Sequence, residues 1–347
     1  MRFKIIIASV LILIAAYSLF WFQIASKVED DTLAWIEKTK DNTTGLKVFV
    51  GDLTVSGFPY RIVVEASSLN VSLPKGPYGE RSISMTVPEI AAVYQPWNPN
   101  HIIVVTDYFD ATIGEINNPE ININFDKVKS SVILDVETLK MDNLSIISEK
   151  VSWRNVNTSD DQVGSGMEMA ELHLRNSLPG METQNSYDLP VQKAIYFKAT
   201  NAQIAELETS LFGKYADEII IETILHANTQ LDFTKPSLST WRDEGGTLSV
   251  KSFEYGMADT HISFSGDVTL DENLKPLGAF DAKVSGIENM FSALSRNENI
   301  PQTARMLLQG QAQSATSSEV LPLSVSMQNG TMYLGPIPIL ELEPIIE

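Results

Sequence analysis

No cysteine occurs anywhere in the 347-residue chain. That excludes disulfides, thiolate metal sites, a cysteine nucleophile and lipid attachment through an N-terminal cysteine. Histidine is nearly as scarce. His101, His173, His226 and His261 are the four present; none has a second ligand two or four residues after it, and there is no H-E-x-x-H. Each falls in a strand-like run, so a structural histidine is the expected role. The phosphate-binding G-x-x-x-x-G-K-[ST] and the dinucleotide G-x-G-x-x-G are absent. So is the G-x-S-x-G nucleophile elbow, because Gly164-Ser165-Gly166 has the wrong spacing and lies in a polar stretch. Asp160-Asp161 and Asp271-Glu272-Asn273 do not follow the ligand spacing of an EF-hand loop. Nothing singles out a carboxylate pair for glycoside hydrolysis among the 44 acidic residues. No catalytic, cofactor-binding or metal-binding residue is therefore assigned, and the expectation is a non-enzymatic protein without a cofactor.

Basic residues are also under-represented, 25 against 44 acidic, for a net charge of −19. Leaving out Arg2 and Lys4 gives 23 − 44 = −21 for the rest. Such a surface repels nucleic acid and anionic headgroups and keeps the chain soluble.

What the chain has instead is one long charge-free run. From Ile5 to Phe22 eighteen residues carry no charge. At about 1.5 Å per helical residue they just cover the roughly 30 Å of a bilayer's hydrocarbon. Ile5, Leu11 and Ile14 would face lipid; Phe20, Trp21 and Phe22 would sit at the far interface, with Arg2 and Lys4 on the cytoplasmic side. The competing reading is a cleaved signal peptide. Its apolar core would be shorter, about 7–15 residues, and followed by a small-x-small site. The nearest match, Ala16-Tyr17-Ser18, precedes the aromatic cluster, so a retained single span is expected. That places the chain in a bacterial inner membrane with its bulk in the periplasm.

Residues 1–25 are thus the anchor, and residues 26–44 read as a stalk helix. Val28, Thr32, Trp35 and Thr39 share one face, with Ile36 beside it, which would pack Trp35 on the first strands. From residue 45 to 347 the period changes to 2. Alternating runs such as Ile83-Met85-Val87, Ile121-Ile123-Phe125 and Val132-Leu134-Val136 predict antiparallel sheet covered on one side. Pro88 and the Pro96/Pro99 pair are expected to break it. Two polar loops, 157–166 and 176–190, suggest a sub-boundary near 157–190. Ser237–Glu244 reads as a helix capped by Ser237 or Ser239. The runs 247–255, 261–270 and 277–286 form a meander, and helices at 287–294 and 300–308 are expected to cover it. Leu321–Met327 and Thr331–Leu334 form a last hairpin through Asn329-Gly330, and Pro336, Pro338 and Pro344 would leave an extended, irregular end. The fold class is mainly β (α+β): an N-terminal transmembrane helix, then a large curved antiparallel sheet with a few covering helices.

Several segments resemble one family. Gly57-Phe58-Pro59-Tyr60-Arg61 looks like the "GFP-aromatic-R" signature of the uncharacterised bacterial membrane-anchored family domain of unknown function 2125. Trp241-Arg242-Asp243-Glu244-Gly245-Gly246-Thr247-Leu248 is similar to its "WRDxGGTL" segment. Gly266 to Asp271, with Pro276 and Gly278, resembles its "GxLxLDxxxxPxG". Asn329-Gly330 with Leu334-Gly335-Pro336 resembles its C-terminal "DGxLxLGPxP". The resemblance implies an exported, tethered β-rich protein in which Gly57, Phe58, Pro59, Arg61, Trp241, Gly245, Gly246, Gly266, Asp271, Pro276, Gly335 and Pro336 are structural. The plan of one span plus a one-faced sheet also resembles the AsmA-type envelope proteins, which form hydrophobic grooves linked to phospholipid movement.

Three functions follow. The first is a module holding a lipid or other hydrophobic ligand in envelope maintenance. The second is an envelope scaffold binding a protein partner, and the third an uncharacterised enzyme. The membrane is the expected partner of the anchor, and nucleic acid is excluded by charge.

Overall fold

The structure is a computed structural model. It describes residues 2–346 apart from 41–44, 75–80, 116–117, 157–163, 177–188, 208–212, 229–230, 232–233, 287–294, 296–300 and 315–319. The fold is mainly β, with antiparallel strands, a long apolar N-terminal helix and a few further helices. It divides into two compact units: Met1–Met141 with Arg154–Ser159, and Asp142–Trp153 with Asp160–Glu347.

In the first unit α1 runs unbroken over Arg2–Lys40. It contains no glycine or proline, so nothing ends it between the apolar run and the expected stalk. Anchor and stalk are one helix. Lys38 and Lys40 sit in its last turn, where cations complement the carbonyl end of the dipole. Its second half carries one inward stripe: Trp21, Ala25, Ile36 and Thr39 are buried, with Val28 and Thr32 half-buried. Trp35 does not join it. It is 53% exposed, and Ile36 takes the place expected for it.

The strands of this unit are β1 (Lys47–Phe49), β2 (Leu53–Ser56), β3 (Ile62–Leu73), β4 (Ile83–Gln95), β5 (Asn98–Glu115) and β6 (Asn118–Leu134). Both β1 and β2 pair with β3, and β3 to β6 pair in order. Pro88 does not end β4. The rungs between β4 and β5 run to Thr86 and resume at Ala91, so proline falls where no donor to β5 is called for. Register aligns Leu73, Ile83, Ile113 and Ile121 in one row, and Val71, Met85, Ala111 and Ile123 in another. The row between them is Ser72, Ser84, Thr112 and Asn122. One face is apolar and the other polar, as the alternation predicts. On β3 the apolar positions change from 69, 71 and 73 to 62, 64 and 66. The change coincides with Ser68 (φ 52) on β3 and Lys127 (φ 47) on β6, left-handed residues that interrupt the pleat.

The second unit contains most of β7 (Met141–Ser148) and of β8 (Lys150–Asn155), and β9 (Ser165–Met167), β10 (Met169–Arg175), β11 (Val191–Gln203) and β12 (Tyr215–His226), then α2 (Lys235–Asp243). After these come β13 (Thr247–Met257), β14 (Thr260–Leu270), β15 (Pro276–Ser285), α3 (Gln302–Ser314), β16 (Leu321–Gln328), β17 (Thr331–Leu334) and β18 (Ile337–Glu341). β7 pairs with β10, β10 with β11, and β11 to β18 pair in sequence. The meander lies where expected. Asn329 (φ 53) and Gly330 (φ 72) are both left-handed, which fits the twist of the β16–β17 hairpin.

Three expectations are corrected here. The cap of α2 is Thr234, whose hydroxyl accepts from Ser237 N, and Pro236 occupies the first turn. The end of the chain is not irregular throughout, because β18 pairs with β17; Pro338 is tolerated beside a register shift at Met332/Tyr333. In α3, Leu307, expected on the covering face, is 60% exposed, so it does not cover the meander. The expected helix at 287–294 and most of both polar loops lie outside the described residues. Among the described residues two core clusters hold the unit. One runs across the sheet through Ala199, Ile219, Tyr255, Ile262 and Val284. The other gathers Ala227, Leu238, Trp241, Leu270 and Leu274 under α2.

Candidate membrane-proximal site

Within the first unit, one core cluster among the described residues joins α1 to the strands. It consists of Trp21, Ala25 and Ile62, with Val28, Val55, Val64 and Tyr94 packed on it. Ile62 is fully buried, and burial pushes the Tyr94 phenol above its ordinary range. The turn between β2 and β3, Gly57 to Arg61, closes on the helix beside this cluster. Tyr17 donates its hydroxyl proton to Pro59 O. Trp21 Nε1 donates to Arg61 O at 3.1 Å, and Arg61 N to Gly57 O at 3.2 Å. Phe58 stacks on Phe22 with centroids 5.7 Å apart and meets Trp21 edge-on at 5.4 Å. Gly57 has φ +104, and a Cβ there would lie 2.7 Å from Arg61 O, so both dihedral and space require glycine.

The anchor residues named from sequence divide between two environments. Ile5, Leu11, Ile14, Phe20 and Phe22 are exposed. Trp21 is not: it is 3% exposed and bound to protein rather than displayed. Tyr17 was missed. Its one signal was a polar-tipped ring inside an otherwise apolar run. Thr39 was placed on the inner face, but the contact its hydroxyl makes, accepting Val48 N at 3.3 Å, was not foreseen.

In the second unit Trp241, Gly245, Gly246 and Asp271 of the motifs lie at α2. Trp241 is buried and donates Nε1 to His226 O at 2.8 Å. Gly245 (φ +83) ends the helix, and a Cβ on Gly246 would meet the Trp241 ring at 2.2 Å. Arg242 Nη1 donates to the carbonyls of Asp271 and Glu272, each at 3.2 Å, which seats the helix on the β14–β15 turn. Asp271 Oδ1 accepts from Asn273 N and Lys275 N at 2.8 and 2.9 Å. Pro276 opens β15 opposite Leu270, and Gly266 faces Phe280. Gly335 and Pro336 turn β17 into β18, with Gly335 N donating to Ser324 O at 2.7 Å.

A profile of uncharacterised proteins conserved in bacteria, DUF2125, matches residues 21–343. The chain belongs to the DUF2125 family. No curated protein and no solved structure matches it. The DUF2125 match begins at Trp21, inside α1, so it takes in the helix's inward stripe as well as both units.

Among the described residues of this DUF2125 chain no group of three or more His, Cys, Asp or Glu is placed to hold a metal. His101 contacts Ser131 Oγ at 2.9 Å, His173 contacts Ser145 Oγ at 2.8 Å, and His226 donates to Leu189 O at 3.2 Å. An open cavity of about 410 Å³ lies on the meander, lined by Thr247, Val268, Leu277, Met327 and Gln328 among others. Its lining also includes one carboxylate, Asp267, which accepts from Ser249 Oγ at 2.5 Å.

α1 is long and apolar enough to cross a membrane. Its first half is almost wholly exposed, with Leu11 at 60% and Ile14 at 56%. A membrane anchor is compatible with these features.

Proposed function

We propose that this protein is held in the bacterial inner membrane by α1, with Arg2 and Lys4 cytoplasmic and its β units periplasmic. There it presents the apolar face of the β3–β6 sheet to a lipid acyl chain in a non-enzymatic role in envelope maintenance. One observation carries the reading. The rows through Val71, Met85, Ala111 and Ile123 and through Leu73, Ile83, Ile113 and Ile121 line one face, yet only Ala111 of these eight is buried. Among the described residues no helix covers these rows. A contiguous apolar face left half-open is unusual for a monomer unless it meets a ligand, a partner or a membrane. Placing the sheet in the same unit as a membrane helix favours lipid among these.

The test is a photo-reactive amino acid at Met85 or Ile123 on the apolar face and at Thr86 or Asn122 on the polar face, irradiated in intact cells. Lipid adducts at 85 and 123 and none at 86 and 122 are expected. Adducts at neither face, equal adducts on both, or an envelope protein in place of lipid would overturn the reading; the last would favour an adaptor role.

A further inference from the structure

The turn at 57–61 touches α1 at a level that water does not reach if the helix spans a bilayer. The helix is charge-free from Ile5 to Ser26, and Lys27 is its first charge beyond the run. At about 1.5 Å per residue, Tyr17 lies roughly 15 Å and Phe22 roughly 8 Å short of Lys27 along the axis. A hydrocarbon layer of about 30 Å starting at Ile5 takes about 20 residues, so it ends near Ile24. Pro59 is bonded to Tyr17, and Phe58 stacks on Phe22. Both contacts fall below that end.

We propose that the turn Gly57–Arg61 is a second membrane-contacting element, sunk among the phospholipids of the leaflet from which α1 emerges. This rests on the reading of α1 as a retained span. The turn's chemistry suits that place. Its outward side chains are Phe58, 47% exposed, and Tyr60, 74% exposed, and aromatic rings with a polar tip favour the headgroup boundary. Backbone groups at this depth must be paired within the protein. Here Pro59 and Arg61 carbonyls accept from Tyr17 and Trp21, Arg61 N is bonded to Gly57 O, and Pro59 has no N–H to satisfy. The turn carries no acidic residue, although the chain as a whole is strongly acidic. Arg61 is exposed, with its carbonyl held at the level of Trp21, and its long side chain can reach up to a lipid phosphate, which binds guanidinium through paired hydrogen bonds. Phe20 and Phe22, 51% and 59% exposed, extend the same ring of aromatics around the helix. Unit one would then sit flush on the bilayer rather than on a stalk above it.

The chain's lack of cysteine makes the test direct. Tyr60→Cys, Leu11→Cys and Val136→Cys variants of the full chain, each spin-labelled and reconstituted in phosphatidylethanolamine–phosphatidylglycerol vesicles, are compared for collision with oxygen and with a nickel chelate. All three positions are exposed, so labelling should leave the fold intact. The label at 60 should show an oxygen-to-nickel ratio several-fold above that at 136, and below that at 11. A label at 11 in hydrocarbon with one at 60 as aqueous as 136 would overturn the turn's insertion and leave the anchor standing. Aqueous labels at both 11 and 60 would overturn the anchor and the insertion together.

Discussion

Tyr255 links a single side chain to the pH response of the second unit. Its ring is buried in the main core and its hydroxyl donates to Tyr215 O at 2.9 Å, with Gly213 O at 3.3 Å. Burial, aided by the charge of Asp217, pushes its pKa up to about 12 from 10.0. The folded state therefore holds the proton more tightly than the unfolded state. That stabilisation is complete below pH 10 and is lost as the pH rises from 10 toward 12. Tyr255→Phe should cost about 1 kcal/mol at neutral pH, the net worth of a buried hydrogen bond, and should weaken the alkaline fall in melting temperature over that window. An unchanged alkaline limb would assign the fall to other groups. Gly245 and Gly246 offer a sharper residue-scale contrast. Gly245→Ala meets open space but carries φ +83, so it should cost about 1 kcal/mol. At Gly246 the added methyl must displace the Trp241 ring and its bond to His226 O, so Gly246→Ala should cost more, about 2–3 kcal/mol. Urea denaturation monitored through the near-ultraviolet signal of tryptophan would rank the two; the reverse order would mean that Trp241 is not held as described.

At the level of elements, α1 sets a second contrast. Ile36 is buried and Trp35 is 53% exposed. Ile36→Ala should therefore destabilise the first unit by about 2–4 kcal/mol, whereas Trp35→Ala should stay within about 0.5 kcal/mol. Equal losses in chemical denaturation would put the stripe on the wrong face. The same pair explains how far the sequence could be read. Spacings of three and four both follow a helical face, so after Thr32 periodicity admits Trp35 and Ile36 alike; only the strand that the helix meets chooses between them. The strands of the meander were legible because each alternates over ten residues or so and ends at a turn signal. Continuation of β4 through Pro88 was not, since a proline's cost depends on whether the neighbouring strand needs its N–H. Pro338 in β18 was hidden for the same reason. The cap at Thr234 was masked by two serines with equal capping chemistry. As for the site, the tryptophans and glycines of its motifs stood out in sequence, but the bonds from Tyr17 and Trp21 to the turn join residues about forty positions apart, which no local pattern encodes.

For the whole molecule, the question is whether α1 persists in the mature protein. A signal peptidase acting near Ala16-Tyr17-Ser18 would remove an exposed half-helix and leave the stripe from Trp21 onward, but a chain beginning at Lys27 would lose Trp21 and Ala25. The fully buried Ile62 would then face water. The first unit has one core cluster among its described residues, and these side chains are its centre. Burying a large apolar side chain contributes about 1.5–3 kcal/mol, so losing the Trp21–Ala25–Ile62 contacts removes several kcal/mol from a stability that for whole domains is about 5–15 kcal/mol. The helix is thus part of the folded unit. A chain beginning at Ala16 should resist limited proteolysis within residues 45–135 as well as the full chain does, whereas one beginning at Lys27 should be cut there. The intact mass of the protein extracted from cells should retain Arg2 to Ser26. Equal protease resistance of the two shortened chains would show that α1 serves only as an anchor, and a mature N-terminus beyond Trp21 would show that the unit folds without it.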